Sequence, residues 1–296
     1  MPKLDFERIV ILESLFPNDY LKTGEELANY LGPMIIDRKT QPLVEFARFS
    51  SHHELKLIIE NLTYEVINGG KIPVLHIETH GSEFGNGLVL GDNTKITWPE
   101  PIDLCVALNR ATRFNLILVI AACYSGDLWK NEFRLDKPSS YGLLVAPSDV
   151  ANGPEMLGGF RDFYRNLLDY KNGWIALEKL FHFRLNEGIF LTKAAHECFF
   201  ATLKTMYSRM FEPVQFEKIL ADNDKAVMKR YGYLGKHIRP LERKRHLNAF
   251  AFLQKTYLNE MFDTFFMVED FPENEENFGY LNKELTTMID AGIVVK

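Results

Sequence analysis

Five short apolar runs, separated by stretches with helical spacing, constrain the fold of this chain most strongly. The runs are RIVIL at 8–12, PLVEFARF at 42–49, IPVLHIE at 72–78, NLILVIAA at 115–122 and YGLLVA at 141–146. Strands that are apolar along nearly their whole length suit a sheet buried on both faces, as parallel sheets are. The sequence therefore predicts an α/β domain with a mainly parallel sheet and helices on both faces.

Two further patterns extend this prediction along the chain. Residues 87–98, GLVLGDNTKITW, hold two short β-like runs around a Gly-Asp-Asn turn signal, which indicates a small β-hairpin. From about Phe160 the strand signals stop and amphipathic helices follow. We expect a domain over residues 1–185 and a helical C-terminal extension or subdomain over residues 186–296. One predicted apolar stripe of that extension consists of Phe250, Leu253, Tyr257, Met261 and Phe265.

Composition excludes several classes of function. A net charge of -6 and a pI near 5.8 provide no general attraction to nucleic acid or to an anionic membrane. No run of about eighteen apolar residues occurs, so we expect no membrane span. Three cysteines without regular spacing argue against a disulfide framework, and the N-terminus does not resemble a signal peptide. These features predict a cytoplasmic protein.

The stretch LHIETHGSEFG at 75–85 raises the question of a metal site. In the zinc motif H-E-x-x-H the glutamate follows the first histidine directly and the segment is helical, whereas here Ile77 follows His76 in a predicted strand. Alternation along a strand would still place His76, Glu78 and His80 on one side, so geometry alone leaves a metal site open. We expect neither a metal nor a cofactor.

A different hypothesis comes from the positions at which two strands end. His80 ends one predicted strand and is followed by Gly81, and Cys123 ends another with Gly126 three residues later. Open α/β sheets build their sites at the carboxyl ends of strands. A cysteine thiolate can attack an amide carbonyl, and an imidazole can supply the proton that the leaving amine needs. The backbone N–H groups of Gly81 and Cys123 could bind the developing oxyanion.

These residues carry a family resemblance. VLHIETHG, a separation of 43 residues between His80 and Cys123, and IAACYSG together resemble the caspase-like cysteine peptidases, including the bacterial caspase-like and CHAT-type proteases. The predicted hairpin and the segments YGLLVAPSD and FRDFYRNLLD are similar to parts of that family too, so the resemblance covers about residues 5–185.

The resemblance implies a caspase-like fold and a cysteine endopeptidase with a His80–Cys123 dyad. It also implies an oxyanion hole formed by Gly81 and Cys123, and a protein or peptide substrate. Its bacterial members suggest a regulated protease that processes a specific partner, as in antiphage defence. The C-terminal helices would then bind an activating protein or ligand, mediate assembly or shield the sheet.

Substrate specificity stays open at this stage. Lys22, in LKTGEEL, occupies the place of a caspase arginine that holds a substrate aspartate, and a single lysine does not favour strict cleavage after aspartate. Ala121 stands where metacaspases, which cut after arginine or lysine, have an aspartate, so this position does not support a preference for basic residues. Glu13 and Asp149 are further candidates for substrate binding, and an apolar pocket is equally compatible with the sequence. The competing function is a catalytically inactive scaffold that binds a partner, because a fold alone never proves an activity.

Overall fold

The computed structural model describes residues 6–37, 42–128, 134–170, 190–212 and 240–294, together with a few positions between 214 and 225. The chain divides into two compact units. The first contains the residues up to Arg134 and Pro138–Ala195, and the second contains Leu135–Lys137 and the residues from His196 onward.

The first unit is an α/β domain in which strands and helices alternate. Its strands are β1 (Arg8–Ser14), β2 (Leu43–Arg48), β3 (Pro73–Gly81), β4 (Gly87–Val89), β5 (Lys95–Thr97), β6 (Ile117–Ala121), β7 (Leu143–Pro147) and β8 (Phe190–Ala194). Its helices are α1 (Thr23–Asp37), α2 (His52–Ile67), α3 (Pro99–Ala111) and α4 (Gly153–Tyr170).

The sheet has the order β2-β1-β3-β6-β7-β8, and its pairs are parallel except that β8 runs antiparallel to β7. β4 pairs antiparallel with the end of β3 and with β5, which makes a small hairpin. The predicted α/β class, with a mainly parallel sheet, flanking helices and a hairpin, is confirmed, and the architecture is consistent with a caspase-like fold.

The last strand differs from the sequence prediction. β8 lies inside the segment predicted to be helical, and the unit that holds the sheet extends to Ala195. Only Phe190 and Ala194 are buried in this five-residue edge strand, while Thr192 and Lys193 are half-buried. A short strand with polar residues in its middle has neither a continuous apolar run nor a clear alternation, so its pattern carried no strand signal.

The core explains why the central strands are apolar throughout. One face of the sheet packs against α1 and α4. Its cluster includes Ile9, Ile11, Val74, Ile117, Val119, Leu143 and Val145 from the strands, with Leu27, Leu31, Phe160, Phe163, Tyr164 and Leu167 from the helices. Residues that alternate with these, such as Val10, Leu75 and Leu118, are also buried. Each fully buried aliphatic side chain contributes about 1.5–3 kcal/mol relative to an exposed one.

Because β1, β3, β6 and β7 are parallel, the loops that follow them emerge at the same edge of the sheet. These loops comprise residues 15–22, 82–86, 122–128 and 148–152. This edge is where open parallel sheets form their binding sites.

The second unit is helical where it is described. It contains α5 (Ala195–Met210), α6 (Pro240–Phe265) and α7 (Glu273–Val294), and its core holds Phe199 in contact with the rings of Phe262, Phe265 and Phe266. None of the helices in the described part of the chain is long and apolar enough to cross a membrane.

The predicted stripe on α6 is wrong at two of its five positions. Leu253 and Tyr257 are 51% and 56% exposed, whereas Ala251, Leu258 and Phe262 are buried. This helix carries apolar residues on more than one side, so spacing alone did not identify the face that packs.

The buried histidine of α5 makes a pH dependence testable. His196 is 4% exposed, and its ring lies 5.6 Å from that of Phe278. Burial lowers its pKa from 6.5 to about 4, because desolvation disfavours the charged imidazolium. Between these values the unfolded chain binds more protons than the folded chain, so stability is lost as the pH falls from about 6.5 to 4. The loss is at most about 3 kcal/mol.

Hydrogen exchange detected by mass spectrometry at pH 7.5 and 5 would measure this effect in peptides from α5 and α7, after correction for the intrinsic pH dependence of exchange. Protection should decrease at pH 5 in the wild type and decrease less in His196→Gln. Equal decreases in both proteins would contradict the assignment.

Candidate active site

The pairing register of two strands brings the candidate histidine and cysteine together. β3 and β6 pair in parallel with a constant offset of 43 residues, from Val74 opposite Ile117 to Glu78 opposite Ala121. The same offset separates His80 from Cys123, and each lies two residues beyond the last β3–β6 pair, Glu78 opposite Ala121. Both residues therefore lie at the same level, at the carboxyl ends of neighbouring strands.

The backbones of the two segments touch at Gly81. A β-carbon at this position would lie 1.8 Å from the carbonyl oxygen of Cys123, well inside van der Waals contact. Only glycine allows this approach without displacement of one of the two backbone segments. The glycine that follows the histidine thus has a steric function, and it brings the backbone of the residue after His80 against that of Cys123.

A tight turn fixes Cys123 after β6. The Ser125 hydroxyl is fully buried and donates to the carbonyl oxygens of Ile120 and Ala122, at 2.8 and 2.7 Å. Gly126 N donates to Pro147 O at 2.7 Å, and a β-carbon on Gly126 would lie 3.0 Å from the Cα atom of Ser148. The serine and the glycine of Cys-x-x-Gly are structural, and the buried serine does not compete with the thiol as a nucleophile.

The Cys123 thiol differs in environment from the other two cysteines. Cys123 is half-buried and donates to Ala151 O at 3.6 Å, just before α4. Cys105 and Cys198 are buried, and burial raises the pKa of Cys105 to about 12. Cys123 is therefore the one of the three cysteines that is not buried.

The His80 imidazole is held by a carboxylate and by an aromatic ring. Nε2 lies 2.8 Å from Asp19 Oδ2, and the imidazole stacks on Phe16 with a centroid distance of 4.5 Å and an interplanar angle of 19°. The side chain remains 38% exposed. A neutral imidazole in this position carries its proton on Nε2, toward the carboxylate, so Nδ1 keeps the lone pair that can accept a proton.

Asp19 is a candidate site residue that the sequence analysis missed. It lies in the loop after β1, where its Oδ2 also accepts from Phe16 N at 2.7 Å and its own N–H donates to Phe16 O at 3.0 Å. One feature could have indicated it: β1 neighbours β3, and the loops that follow parallel strands lie at the same edge, so the loop after β1 lies at the edge that holds His80. Nothing in the sequence showed that this loop folds back toward His80.

His76 and Glu78 form a separate buried network below the site. His76 Nδ1 lies 3.1 Å from the Tyr164 hydroxyl and Nε2 lies 3.0 Å from Glu78 Oε2, while Thr23 donates to Glu78 Oε1 at 2.5 Å. Burial and the Glu78 charge raise the pKa of Tyr164. In the described residues no group of three or more His, Cys, Asp and Glu side chains could hold a metal ion.

The three substrate-binding candidates occupy two places. Glu13 and Lys22 line a pocket of about 450 Å³ together with Arg48, Glu54 and Gly91. Glu13 is buried, accepting from Glu25 N at 3.1 Å and from Arg48 Nε at 3.2 Å, and Lys22 donates to Phe16 O.

Asp149 lies apart from the pocket, beside the turn that holds Cys123. It is exposed, and its backbone oxygen accepts from Tyr124 N at 3.3 Å. Of the three candidates, Asp149 is therefore the one whose backbone contacts the turn that holds Cys123.

The contact at Gly81 yields a stability prediction. Gly81→Ala should destabilise the first unit by about 1–3 kcal/mol or more, because the added methyl overlaps the Cys123 carbonyl and the strand ends must separate. Gly279→Ala in α7 is the control, since a β-carbon there meets only Glu275 Cγ at 3.9 Å. It should be neutral or slightly stabilising. Thermal unfolding compares the variants, and a Gly81→Ala protein as stable as the wild type would contradict the contact.

No model of a known protein family matches this chain, and no curated protein matches it. The chemistry of the site follows from the contacts of Asp19 with His80 and of Gly81 with Cys123.

Proposed function

We propose that this protein is a cysteine endopeptidase of the caspase-like type, in which Cys123 is the nucleophile and His80 the general acid and base. One observation carries the proposal. A half-buried cysteine and a carboxylate-bound imidazole lie at the carboxyl ends of adjacent parallel strands that share a 43-residue register. A purely structural role requires neither the partial exposure of this pair nor the carboxylate beyond the imidazole.

In the first step Cys123 attacks the scissile peptide bond. Its Sγ–H proton passes to His80 Nδ1, and the thiolate adds to the substrate carbonyl carbon. This transfer requires the thiol to rotate from Ala151 O toward the imidazole, and catalytic hydrogen bonds are often long before substrate binds. Asp19 accepts the Nε2–H bond throughout and stabilises the imidazolium.

The second step releases the amine and then the acid. The imidazolium gives its Nδ1 proton to the leaving nitrogen, the C–N bond breaks, and a thioester on Cys123 remains. Water then loses a proton to His80 and attacks the thioester carbon. Collapse of that intermediate expels the sulfur, which recovers its proton from His80.

The oxyanion formed in both steps needs backbone donors. Gly81 N–H and Cys123 N–H are the candidates, because the Gly81 backbone packs directly against Cys123. Such donors contribute about 10²- to 10³-fold to kcat when they are preorganised. Because Gly81 has no side chain, its backbone can contact that of Cys123, and this contact would set the spacing of the two N–H donors.

The proposal is tested by digestion of a peptide library, scored by mass spectrometry. The wild type should produce cleavage products that Cys123→Ala does not. Cys105→Ala is the matched control, because that thiol is buried with a raised pKa and should be irrelevant to cleavage. Iodoacetamide should also label Cys123 faster than the two buried cysteines.

Intact peptides together with an inert Cys123 thiol would contradict the peptidase. They would instead favour the inactive scaffold.

The carboxylate gives a second prediction. Asp19→Ala should lower kcat by roughly 10²-fold with little change in KM, because the imidazole loses its orientation and its counter-charge. Added formate should restore part of the activity if the carboxylate acts on His80. Asn18→Ala, at the neighbouring position of the same loop, is the control and should retain full activity. An Asp19→Ala enzyme that formate cannot rescue would reduce the residue to a structural role.

A further inference from the structure

Three loops around the candidate site each carry an acidic residue followed by an exposed apolar one. The pairs are Asp19-Tyr20, Glu83-Phe84 and Asp149-Val150. The apolar members are 103%, 82% and 58% exposed. They belong to the loops that follow β1, β3 and β7, which emerge at one edge of the sheet.

The pairs on the β1 and β7 loops adjoin groups that touch the dyad. Tyr20 follows Asp19, which binds His80. Val150 precedes Ala151, whose oxygen accepts from the Cys123 thiol.

The loop after β3 also lies against the turn that holds Cys123. Phe84 precedes Gly85, where a β-carbon would lie 3.4 Å from Tyr124 Cβ, one residue after the cysteine. Each of the three exposed apolar residues is therefore the chain neighbour of a residue that lies against His80 or the Cys123 turn, and we call Tyr20, Phe84 and Val150 the apolar rim.

Exposed apolar residues on three loops, all at the edge of the sheet where His80 and Cys123 lie, favour a binding surface there. Large apolar groups left in water cost free energy that burial against a partner recovers, at about 25 cal/mol per Å². Tyr and Phe also bury much area with few rotatable bonds. An apolar side chain of a bound peptide is the occupant that this surface fits.

The charges beside the rim indicate the second property of the occupant. Glu83 and Asp149 are exposed, and neither forms an ion pair with any residue in the described part of the chain, although Asp149 Oδ1 accepts from Val150 N at 2.7 Å. The carboxylate of Asp19 is bound to His80, and the nearby Lys22 ammonium donates to Phe16 O. The two remaining carboxylates favour a cationic neighbour for the apolar side chain.

We propose that the apolar rim, with Glu83 and Asp149, docks an extended peptide segment that has an apolar residue adjacent to a lysine or arginine near the scissile bond. This inference names the substrate class of the proposed peptidase and rests on it for the position of the cut. Binding itself does not require catalysis, so the two can be tested separately.

The experiment uses the full-length Cys123→Ala protein and fluorescein-labelled decapeptides with Gly-Ser flanks and the central pairs Leu-Lys, Leu-Glu and Ser-Lys. Anisotropy measures Kd. Leu-Glu should bind roughly fivefold more weakly than Leu-Lys, and added salt should reduce this difference. Ser-Lys should bind roughly tenfold more weakly, because the apolar contact is lost.

Variants of the protein assign the effect to the loops. Phe84→Ser and Val150→Ser should weaken binding of Leu-Lys, and the combined Glu83→Gln and Asp149→Asn protein should lose the preference for lysine. Tyr64→Ser and Asp103→Asn, at exposed positions of α2 and α3, are the matched controls and should bind as the parent does.

The outcomes separate the two proposals. Selective binding of Leu-Lys by Cys123→Ala, without hydrolysis by the wild type, would sustain the docking surface and sink the peptidase. Hydrolysis by the wild type with no preference, or with a preference for Leu-Glu, would sustain the peptidase and overturn the docking surface. Failure of every peptide to bind at millimolar concentration would overturn the docking surface as well.

Discussion

The in-register parallel contact between β3 and β6 is the constraint on which the site depends. The offset of 43 residues is constant through the paired part of the strands, so His80 and Cys123 leave the sheet together. A slip of one residue would turn every side chain of one strand to the opposite face. Here both faces are largely apolar, so the buried polar contacts of His76 and Glu78 and the close approach of Gly81 to the Cys123 carbonyl help to fix the register.

Two buried carboxylates connect the core to the loop that carries Asp19. Glu13, near the end of β1, accepts from Glu25 N in the first turn of α1, and Glu78 accepts from Thr23 at the start of the same helix. Buried carboxylates are tolerated only when they are hydrogen-bonded, and these bonds hold both ends of the loop. The position of Asp19 against His80 therefore follows from polar contacts inside the fold, which explains why a loop residue can orient an imidazole.

The sequence was sufficient for the central sheet and for the placement of His80 and Cys123 at the ends of neighbouring strands, because both follow from continuous apolar runs and from the common edge of parallel strands. It was insufficient for β8, whose middle residues are polar, and for the buried face of α6, where Leu253 and Tyr257 are exposed. Asp19 was missed because the path of a loop depends on contacts such as those of Glu13. Spacing along the chain does not report such contacts.

The acidic residues on the loops around Cys123 would affect both the binding of a peptide and the proposed reaction. In the proposed acyl transfer negative charge would form first on sulfur and then on the carbonyl oxygen, at the edge of the sheet whose loops carry Glu83 and Asp149. The imidazolium–Asp19 pair would offset only part of this charge. A lysine or arginine in the bound segment would bring positive charge to the two remaining carboxylates and lower the electrostatic cost of the oxyanion. The same acidic residues that select a basic peptide would thus disfavour reaction with any segment that lacks one, so that specificity would be expressed in kcat as well as in binding.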